Sequence, residues 1–287
     1  QMCIRDRIKA LEEQLGVLLF RRIKRRLVLT EEGARYYASA STALKMLRDA
    51  QVRASRKLDY RRLIIRVSPT FGVRWLGRRV ASYLSENPEI DLHVDATSEL
   101  TDFEKEKVDL EIRYGPIPPE GYHAQLLLED RVLPLCSPSL AEQARKMPPE
   151  EVLATTRLIH TVKAFATWRE WLDLQGMTGL DDDGGLRFDR SSMSLQAAKD
   201  GLGVVLESAT LAIEELRNGS LVPFLPEVGS LTFPAYWIVC PSRHLNMRIV
   251  KAFVSWTDGQ AREHDIEVQR VLSLLGASEE TPYLDRA

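Results

Sequence analysis

A cluster of basic residues lies near the N-terminus of this 287-residue chain. The stretch Phe20–Thr30 includes five of them, together with the apolar triplet Leu27–Leu29, which is typical of a short strand. This layout predicts a hairpin whose basic tip contacts a phosphate backbone or the minor groove of DNA. The alternative is an exposed surface whose charges are only solvated. The candidate DNA-binding residues of this stretch are Arg21, Arg22, Lys24, Arg25 and Arg26.

The charge balance of the chain favours the first interpretation. Residues 1–66 carry 17 Lys and Arg against 7 Asp and Glu, whereas the remaining residues carry 22 and 34. A basic head on an acidic body suggests that the head meets a polyanion. Three widely spaced cysteines exclude a disulfide framework and indicate a reducing compartment. We therefore expect a cytoplasmic protein, and no membrane partner, since no apolar run has the roughly 18 residues of a membrane span.

Polar side chains recur in the body at the ends of its apolar segments. In open α/β sheets, ligands bind at the carboxyl ends of strands. Ser68 and Thr70 lie where the first strand meets a helix, so free N–H groups there would favour a carboxylate. We expect a small anionic or zwitterionic metabolite at this place. The other polar residues that end strands or open helices on the cleft side are Thr97, Ser98, His160, Thr161 and Ser192.

Sequence signals for an enzyme are weak throughout the chain. The five histidines have no metal-binding spacing, and no nucleophile elbow G-x-S-x-G occurs. The run Asp181–Gly184 lacks the glutamate that closes a calcium loop. Gly201 and Gly203 are not followed by the third glycine of a dinucleotide-binding motif. They therefore indicate a tight turn rather than a nucleotide site. Glu207 follows a strand as a lone acid without a second carboxylate. We expect no enzyme activity, no cofactor and no metal.

Two helices must position the basic stretch. Apolar residues from Ile8 to Leu18 recur at helical spacing, and Gly16 can end the helix after Leu15. Thr30 is a suitable N-cap for a second helix that runs without proline to about Leu58. The short first helix followed by a hairpin is the layout of a winged helix.

The second helix carries an apolar seam that includes Leu44 and Leu47 at heptad spacing, and its other faces are polar. This pattern predicts self-association through the helix. Packing against its own domain is the alternative.

The body alternates strands and helices. The pattern predicts β-α-β-α-β in a first lobe, with a parallel sheet covered by helices, and a second lobe of the same kind joined by two crossovers. The expected strands are 61–68, 90–97, 108–114, 124–136, 157–160, 186–188, 204–207 and 233–240. One expected helix runs from Pro69 to about Asn87. The other expected helices span 102–107, 138–146, 166–175, 191–200, 209–217 and 246–257. Such a two-lobed α/β domain is similar to periplasmic binding proteins.

A long spaced motif in the head gives the chain a specific resemblance. Ile8–Gly16, Leu19–Arg22 and Leu29–Gly33 fit the pattern I-x-x-L-E-x-x-L-G-x-x-L-F-x-R … L-T-x-x-G. This pattern resembles the LysR-type transcriptional regulators. Motifs in the body, among them Trp75–Arg79 and Val108–Gly115, resemble the branch that includes the glycine-cleavage activator and the β-lactamase regulator.

The resemblance implies a ligand-responsive transcriptional regulator that binds promoter DNA. It implies a homodimer or homotetramer, with RNA polymerase as a further partner. It also implies that the strand-end residues form an effector site, to which it adds Phe71. The implied effector residues are therefore Ser68, Thr70, Phe71, Thr97, Ser98, His160, Thr161 and Ser192.

The first seven residues depart from the family pattern, and we expect them to be a non-native leader on a truncated head. In a helix-turn-helix, base edges are contacted mainly by the N-terminal residues of the recognition helix. Arg7 and Lys9 would stand at the end of this helix, where they can hold phosphate but carry little sequence information.

These features divide the chain into three parts. Residues 1–29 are expected to be the remnant of the winged helix-turn-helix domain, 30–59 the linker and dimerisation helix, and 60–287 the effector-binding domain. Within the latter, lobe I comprises about 60–134 and 241–287, and lobe II about 135–240. The rival function is a small-molecule solute-binding protein without a DNA function. A two-lobed enzyme would need a cofactor-bearing cysteine in a cleft loop, whereas Cys240 ends a strand.

Overall fold

The computed structural model describes residues 2–23, 26–55, 61–118, 120–177, 179–226, 229–277 and 280–282. The chain forms two compact units, Gln1–Tyr60 and Arg61–Ala287. No helix in the described ranges has both the length and the apolar character that a membrane crossing requires.

The first unit consists of a helix, a hairpin and a second helix. Helix α1 spans Met2–Leu15, so residues 2–7 form its first turns. Strands β1 (Phe20–Ile23) and β2 (Arg26–Leu29) pair antiparallel, and α2 spans Glu31–Ser55. The predicted helix end at Leu15, the strand at 27–29 and the helix after Thr30 are thereby confirmed. The last predicted turn of that helix, residues 56–58, lies outside the described residues.

Two short-range contacts explain why the motif residues of this unit occur together. The Glu12 carboxylate accepts hydrogen bonds from the backbone N–H groups of Leu19 and Phe20, at 2.7 and 3.1 Å. The Thr30 hydroxyl accepts a hydrogen bond from Gly33 N–H at 2.9 Å and so caps α2. At Gly33 a β-carbon would lie 2.0 Å from the Leu19 carbonyl oxygen, so only glycine fits there.

The second unit is built on one ten-stranded sheet with the order β4-β3-β5-β11-β6-β9-β7-β8; β10 adds to β6 and β12 to β11. Its strands are β3 (Arg62–Val67), β4 (Asp91–Ala96), β5 (Leu110–Tyr114), β6 (His123–Cys136), β7 (Leu158–Thr161), β8 (Leu186–Phe188), β9 (Val204–Ser208), β10 (Val222–Pro223), β11 (Ser230–Cys240) and β12 (Glu280–Pro282).

Helices cover this sheet. They are α3 (Pro69–Phe71), which continues into a π-helical turn at Gly72–Leu76, α4 (Val80–Glu86), α5 (Pro138–Ala144), α6 (Pro149–Thr155), α7 (Trp168–Leu174), α8 (Ser191–Lys199), α9 (Ala209–Asn218) and α10 (Arg248–Leu274), which a 3₁₀ turn at Ser242–Asn246 precedes. A capping box between Thr167 and Glu170 begins α7.

The two-lobed arrangement follows from two kinds of pairing. Strands β3, β4 and β5 are parallel to one another in one half of the sheet, as are β7, β8 and β9 in the other. The long strands β6 and β11 pair antiparallel and connect the two halves. The predicted parallel sheets and the two crossovers are both confirmed. In both halves the apolar core lies between the sheet and its helices.

Local structure differs from the prediction at several places, and strands β10 and β12 were not predicted. Residues 102–107 form a turn rather than a helix, because the Asp102 carboxylate accepts a hydrogen bond from Glu104 N–H at 3.0 Å. The helix after Pro69 is broken into three segments. Helix α6 was not predicted. Helix α10 continues 17 residues beyond Thr257 because Ala261, Val268 and Leu272 extend its buried face.

Candidate functional site

A cavity of about 200 Å³ lies where strand ends from the two halves of the sheet meet. Ser68 and Thr70 contribute to it from the junction of β3 with α3, and Thr97 and Ser98 follow β4. Thr161 ends β7 on the opposite side. The topology therefore brings five of the eight candidate effector residues to one cavity, as expected for carboxyl ends of strands.

Three candidate residues are absent from the cavity wall that the structure describes. Phe71 is buried beneath it and stacks on Trp75 and Tyr236, with ring centroids 4.8 and 4.4 Å away. His160 precedes Thr161 in β7, and its Nε2 lies 2.8 Å from the Gly184 carbonyl oxygen. Ser192 is exposed, whereas its neighbour Ser191 lines the cavity, because consecutive residues of a helix point in different directions.

The floor of the cavity is acidic and buried. Glu207 is 3% exposed, and its carboxylate accepts hydrogen bonds from the Thr161 hydroxyl at 2.7 Å and from Ser208 N–H at 2.9 Å. Beneath it, the Asp130 carboxylate accepts a hydrogen bond from the Ser208 hydroxyl at 2.5 Å. The sequence singled out Glu207 as a lone acid, but Asp130 lies on the long strand β6, where no local pattern links the two.

Burial controls the ionisation of both acids. Desolvation raises the pKa of Asp130 from its ordinary value of 3.8 to about 7; the nearby charge of Glu207 adds to this rise, and the Ser208 hydrogen bond opposes it. Burial also raises the pKa of Glu207, while the hydrogen bonds from Thr161 and Ser208 lower it. One buried carboxyl group thus lines the floor and a second lies behind Ser208, and a negative charge on either one disfavours a negative charge on the other.

Aromatic rings complete the floor. Tyr236 and Tyr114 line the cavity with their ring centroids 5.0 Å apart. Tyr236 stacks on Phe71, which stacks in turn on Trp75, so four rings lead from the cavity into the core. Burial raises the pKa of both tyrosines well above the ordinary value, which keeps their hydroxyls protonated as hydrogen-bond donors.

Charged residues that the sequence analysis missed also line the cavity. Arg113 pairs with Glu111 at 3.0 Å, and Arg190 pairs with Asp189 at 3.1 Å. Lys163 also lines the cavity and is exposed. Glu111 and Arg113 lie within the motif Val108–Gly115, and Asp189 and Arg190 lie between a predicted strand and a predicted helix, but neither pattern indicated that these charges face the cavity.

Helix α9 borders the cavity through Leu211 and is held by ion pairs. Arg74, in the π-helical turn, donates hydrogen bonds to the Leu211 carbonyl oxygen at 2.9 Å and to Glu215 at 2.7 Å. Arg78 pairs with Glu214 at 2.5 Å. Two arginines from the helical segment that follows β3 thus hold α9, the helix that follows β9, in place.

Basic residues of the first unit form a separate candidate surface. Arg7 and Lys9 are exposed on α1, and Lys9 makes an ion pair with Glu13 at 3.8 Å. Arg21 and Arg22 are exposed on β1 of the hairpin. Arg26 lies in β2, while Lys24 and Arg25 lie outside the described residues.

The weak enzyme signals fit structural roles. Asp181 accepts a hydrogen bond from Asp183 N–H at 3.0 Å in a solvated turn. No group of three or more His, Cys, Asp or Glu side chains in the described part of the chain is arranged to hold a metal ion. At Gly203 a β-carbon would lie 2.2 Å from the Arg157 carbonyl oxygen, which accounts for the tight turn before β9. Cys240 is buried, and burial raises the pKa of its thiol to about 11.

A basic hairpin between two helices and a two-lobed domain with a cavity that hydroxyl and charged groups line together define the class of ligand-responsive DNA-binding regulators. Comparison with known protein families supports both parts. Residues 1–34 match the family "Bacterial regulatory helix-turn-helix protein, lysR family", and residues 57–262 match the "LysR substrate binding domain". The chain belongs to the LysR family of bacterial transcriptional regulators.

Individual relatives agree with this assignment. The HTH-type transcriptional regulator PerR of Escherichia coli K12 is 35% identical over 250 residues, which cover 87% of this chain and 82% of that protein. The glycine cleavage system transcriptional activator of the same strain is 31% identical over 257 residues, which cover 89% of this chain and 83% of that protein. The family match favours a regulator over a solute-binding protein, and these relatives are regulators rather than enzymes.

Solved structures show the same fold. The effector domain of the regulator AmpR from Pseudomonas aeruginosa aligns with a TM-score of 0.61 at 26% identity, covering 74% of this chain and 99% of that one. CrgA, a LysR-type regulator from Neisseria meningitidis, aligns with a TM-score of 0.59 at 24% identity, and the alignment covers 92% of this chain and 89% of that one.

The buried acid Asp130 gives the first testable prediction. Because the unfolded chain releases this proton near pH 3.8 and the folded chain near 7, the contribution of Asp130 to the free energy of unfolding should fall as pH rises through this window. The loss attributable to Asp130 is at most about 1.4 kcal/mol per pH unit. The Asp130→Asn variant has no proton to release, so its stability relative to the parent should rise from pH 4 to 7 in urea titrations.

The exposed Asp173 provides a matched control, because Asp173→Asn should keep the parental dependence of stability on pH. Parallel curves for Asp130→Asn and the parent chain would contradict the assignment.

Proposed function

We propose that this regulator senses a small anionic or zwitterionic metabolite in the cavity between the two halves of its sheet. One observation carries the proposal. Hydroxyl groups from both halves, Ser68, Thr70, Thr97 and Ser98 on one side and Thr161 and Ser191 on the other, line a single cavity of about 200 Å³. A ligand that contacts both sides couples binding to the relative position of the lobes.

Ser68 and Thr70 are the proposed contacts for a carboxylate on the ligand. Neither hydroxyl makes a hydrogen bond to another group in the described residues, although Ser68 stands at the N-cap position of α3. By contrast, the Thr97 hydroxyl already accepts a hydrogen bond from Glu99 N–H at 3.2 Å. Two unused donors at one wall are suited to an acceptor such as a carboxylate oxygen.

Replacing these donors should weaken ligand binding and leave the fold intact. A hydrogen bond to a charged group contributes about 1.5–3 kcal/mol, so Ser68→Ala and Thr70→Val should each lower affinity roughly tenfold or more. Isothermal titration calorimetry of the full chain against amino acids, short peptides and carboxylates tests this. The exposed Ser192, outside the cavity wall, is the control, because Ser192→Ala should bind like the parent. Unchanged affinity in both Ser68→Ala and Thr70→Val would place the site elsewhere.

We propose that the exposed arginines of the β1–β2 hairpin contact the phosphate backbone of promoter DNA. Arg21 and Arg22 are adjacent in β1, so they point to opposite faces of the hairpin, and both remain exposed. Lys9 and Arg7 on α1 add positive charge to the same unit. Such contacts give affinity that falls steeply with salt, because each phosphate neutralised releases counterions.

The affinity of the double variant Arg21→Ala/Arg22→Ala for duplex DNA should therefore depend less steeply on salt concentration than that of the parent chain. If both side chains hold phosphates, the slope of log affinity against log salt should become shallower by about 2. Arg62→Ala is the control, because this exposed arginine lies in the second unit and its loss should leave the slope unchanged. Fluorescence anisotropy from low to high salt measures both, and an unaltered slope in the double variant would contradict the proposed contacts.

We propose that two chains associate through α2. Tyr37, Leu44 and Leu47 are 64%, 63% and 66% exposed along this helix, and their separations of seven and three residues place them on one face. A second copy of the helix would cover this apolar seam. A homodimer is the proposed unit, and a homotetramer would be a pair of such dimers. The regulator would act in the cytoplasm, on promoter DNA and with RNA polymerase.

Charge placed in this seam should dissociate the proposed dimer. Leu44→Asp with Leu47→Asp would bury two unpaired carboxylates at the contact, which is costly. Light scattering after size exclusion should show a smaller species than the parent. Leu274→Asp, at an exposed leucine of α10, should leave the mass unchanged. An unchanged mass of the double variant would show that α2 does not form the contact.

A further inference from the structure

The charges that line the cavity do not all cancel locally. Three cations, Arg113, Lys163 and Arg190, and three anions, Glu111, Asp189 and Glu207, take part in its wall. Arg113 is paired with Glu111 at 3.0 Å, and Arg190 with Asp189 at 3.1 Å. Within the described residues, Glu207 and Lys163 make no ion pair. One negative and one positive group are therefore left for a ligand.

These two groups lie at different depths. Glu207 is 3% exposed among the buried residues Leu206, Ser208 and Tyr236 at the floor. Lys163 is exposed, two residues beyond the end of β7. The unbalanced negative charge therefore lies deep in the cavity and the unbalanced positive charge at its mouth.

Nothing else in the described floor neutralises the deep carboxylate. Arg74 lowers the pKa of Glu207, but its guanidinium is engaged with Glu215 at 2.7 Å and with the Leu211 carbonyl oxygen at 2.9 Å. The neighbouring Asp130 is a second buried acid. A buried carboxylate without a cationic partner is costly, so a cation brought in by a ligand would be strongly favoured there.

We infer that the effector is an α-amino-acid-type zwitterion whose ammonium group binds the Glu207 carboxylate at the floor and whose carboxylate lies toward Lys163, beside Ser68 and Thr70. This inference rests on the proposed function and narrows it. Glu207 is then the residue that selects for a cationic group, and Lys163 strengthens binding of any carboxylate.

The experiment compares ligands that differ in one substituent. The full chain is titrated calorimetrically with the twenty amino acids and, for each of them, with its α-hydroxy acid and its unsubstituted carboxylic acid, whether or not the amino acid binds. The hydroxy acid keeps a hydrogen-bond donor but has no positive charge. The parent chain should bind the amino acid at least tenfold more tightly than either analogue.

Variants then assign the preference to residues. Glu207→Gln should bring the three ligands within about threefold of one another. Lys163→Met should weaken all three and preserve their order. Glu86→Gln is the matched control, the same acid-to-amide change at an exposed glutamate of α4 outside the cavity wall, and it should keep the parental preference. Far-ultraviolet circular dichroism checks that each variant is folded.

The outcomes separate the inference from the proposed function. Equal binding of amino acid, hydroxy acid and carboxylic acid by the parent chain would overturn the inference and leave the proposed cavity site standing. A preference that survives in folded Glu207→Gln would also overturn the role of this residue. If none of the amino acids and none of the carboxylates bind the parent, both the inference and the proposed effector class fail. If Glu207→Gln does not fold, the preference of the parent chain among the three ligands still tests whether the effector is a zwitterion.

Discussion

The sensing domain depends on one strand that is hydrogen-bonded into both halves of the sheet. Along its first part β6 pairs with β11, and along its last part it pairs with β9; Val132 is opposite both Leu231 and Ser208. Asp130 lies two residues before this point and accepts the hydrogen bond from Ser208. This change of pairing partner along β6 determines where the cavity floor lies, because the floor residues Glu207 and Ser208 belong to β9 and Tyr236 belongs to β11.

The helix that borders the cavity is fixed on its other side by charge. Leu211 lines the cavity, and Glu214 and Glu215 of the same helix pair with Arg78 and Arg74. The pair with Glu215 is largely buried, so separating it would leave desolvated charges. A ligand that displaced Leu211 would therefore act against these pairs.

Much of the fold could be predicted from local signals, whereas the charge pattern of the site could not. Gly16, Thr30 and the strand ends at Ser68, Thr97 and Thr161 follow from periodicity, capping and the rule for parallel sheets. His160 and Ser192 show the limit of that reasoning, since a one-residue change of position turns a side chain to another face. Arg113 and Glu111 are two residues apart on one strand, so their pairing is local, whereas the meeting of Glu207 and Lys163 at one cavity depends on tertiary structure that no spacing encodes.

The stack of rings beneath the floor gives the protein a built-in optical reporter. Tyr236 lines the cavity, Phe71 lies 4.4 Å below it, and the indole of Trp75 lies 4.8 Å further on, fully buried. Indole emission responds to its surroundings, and Arg79 places its guanidinium 4.6 Å from the same ring. A molecule that shifted Tyr236 would thus change the environment of one of the five tryptophans, and its occupancy of the floor would then be measurable without a label.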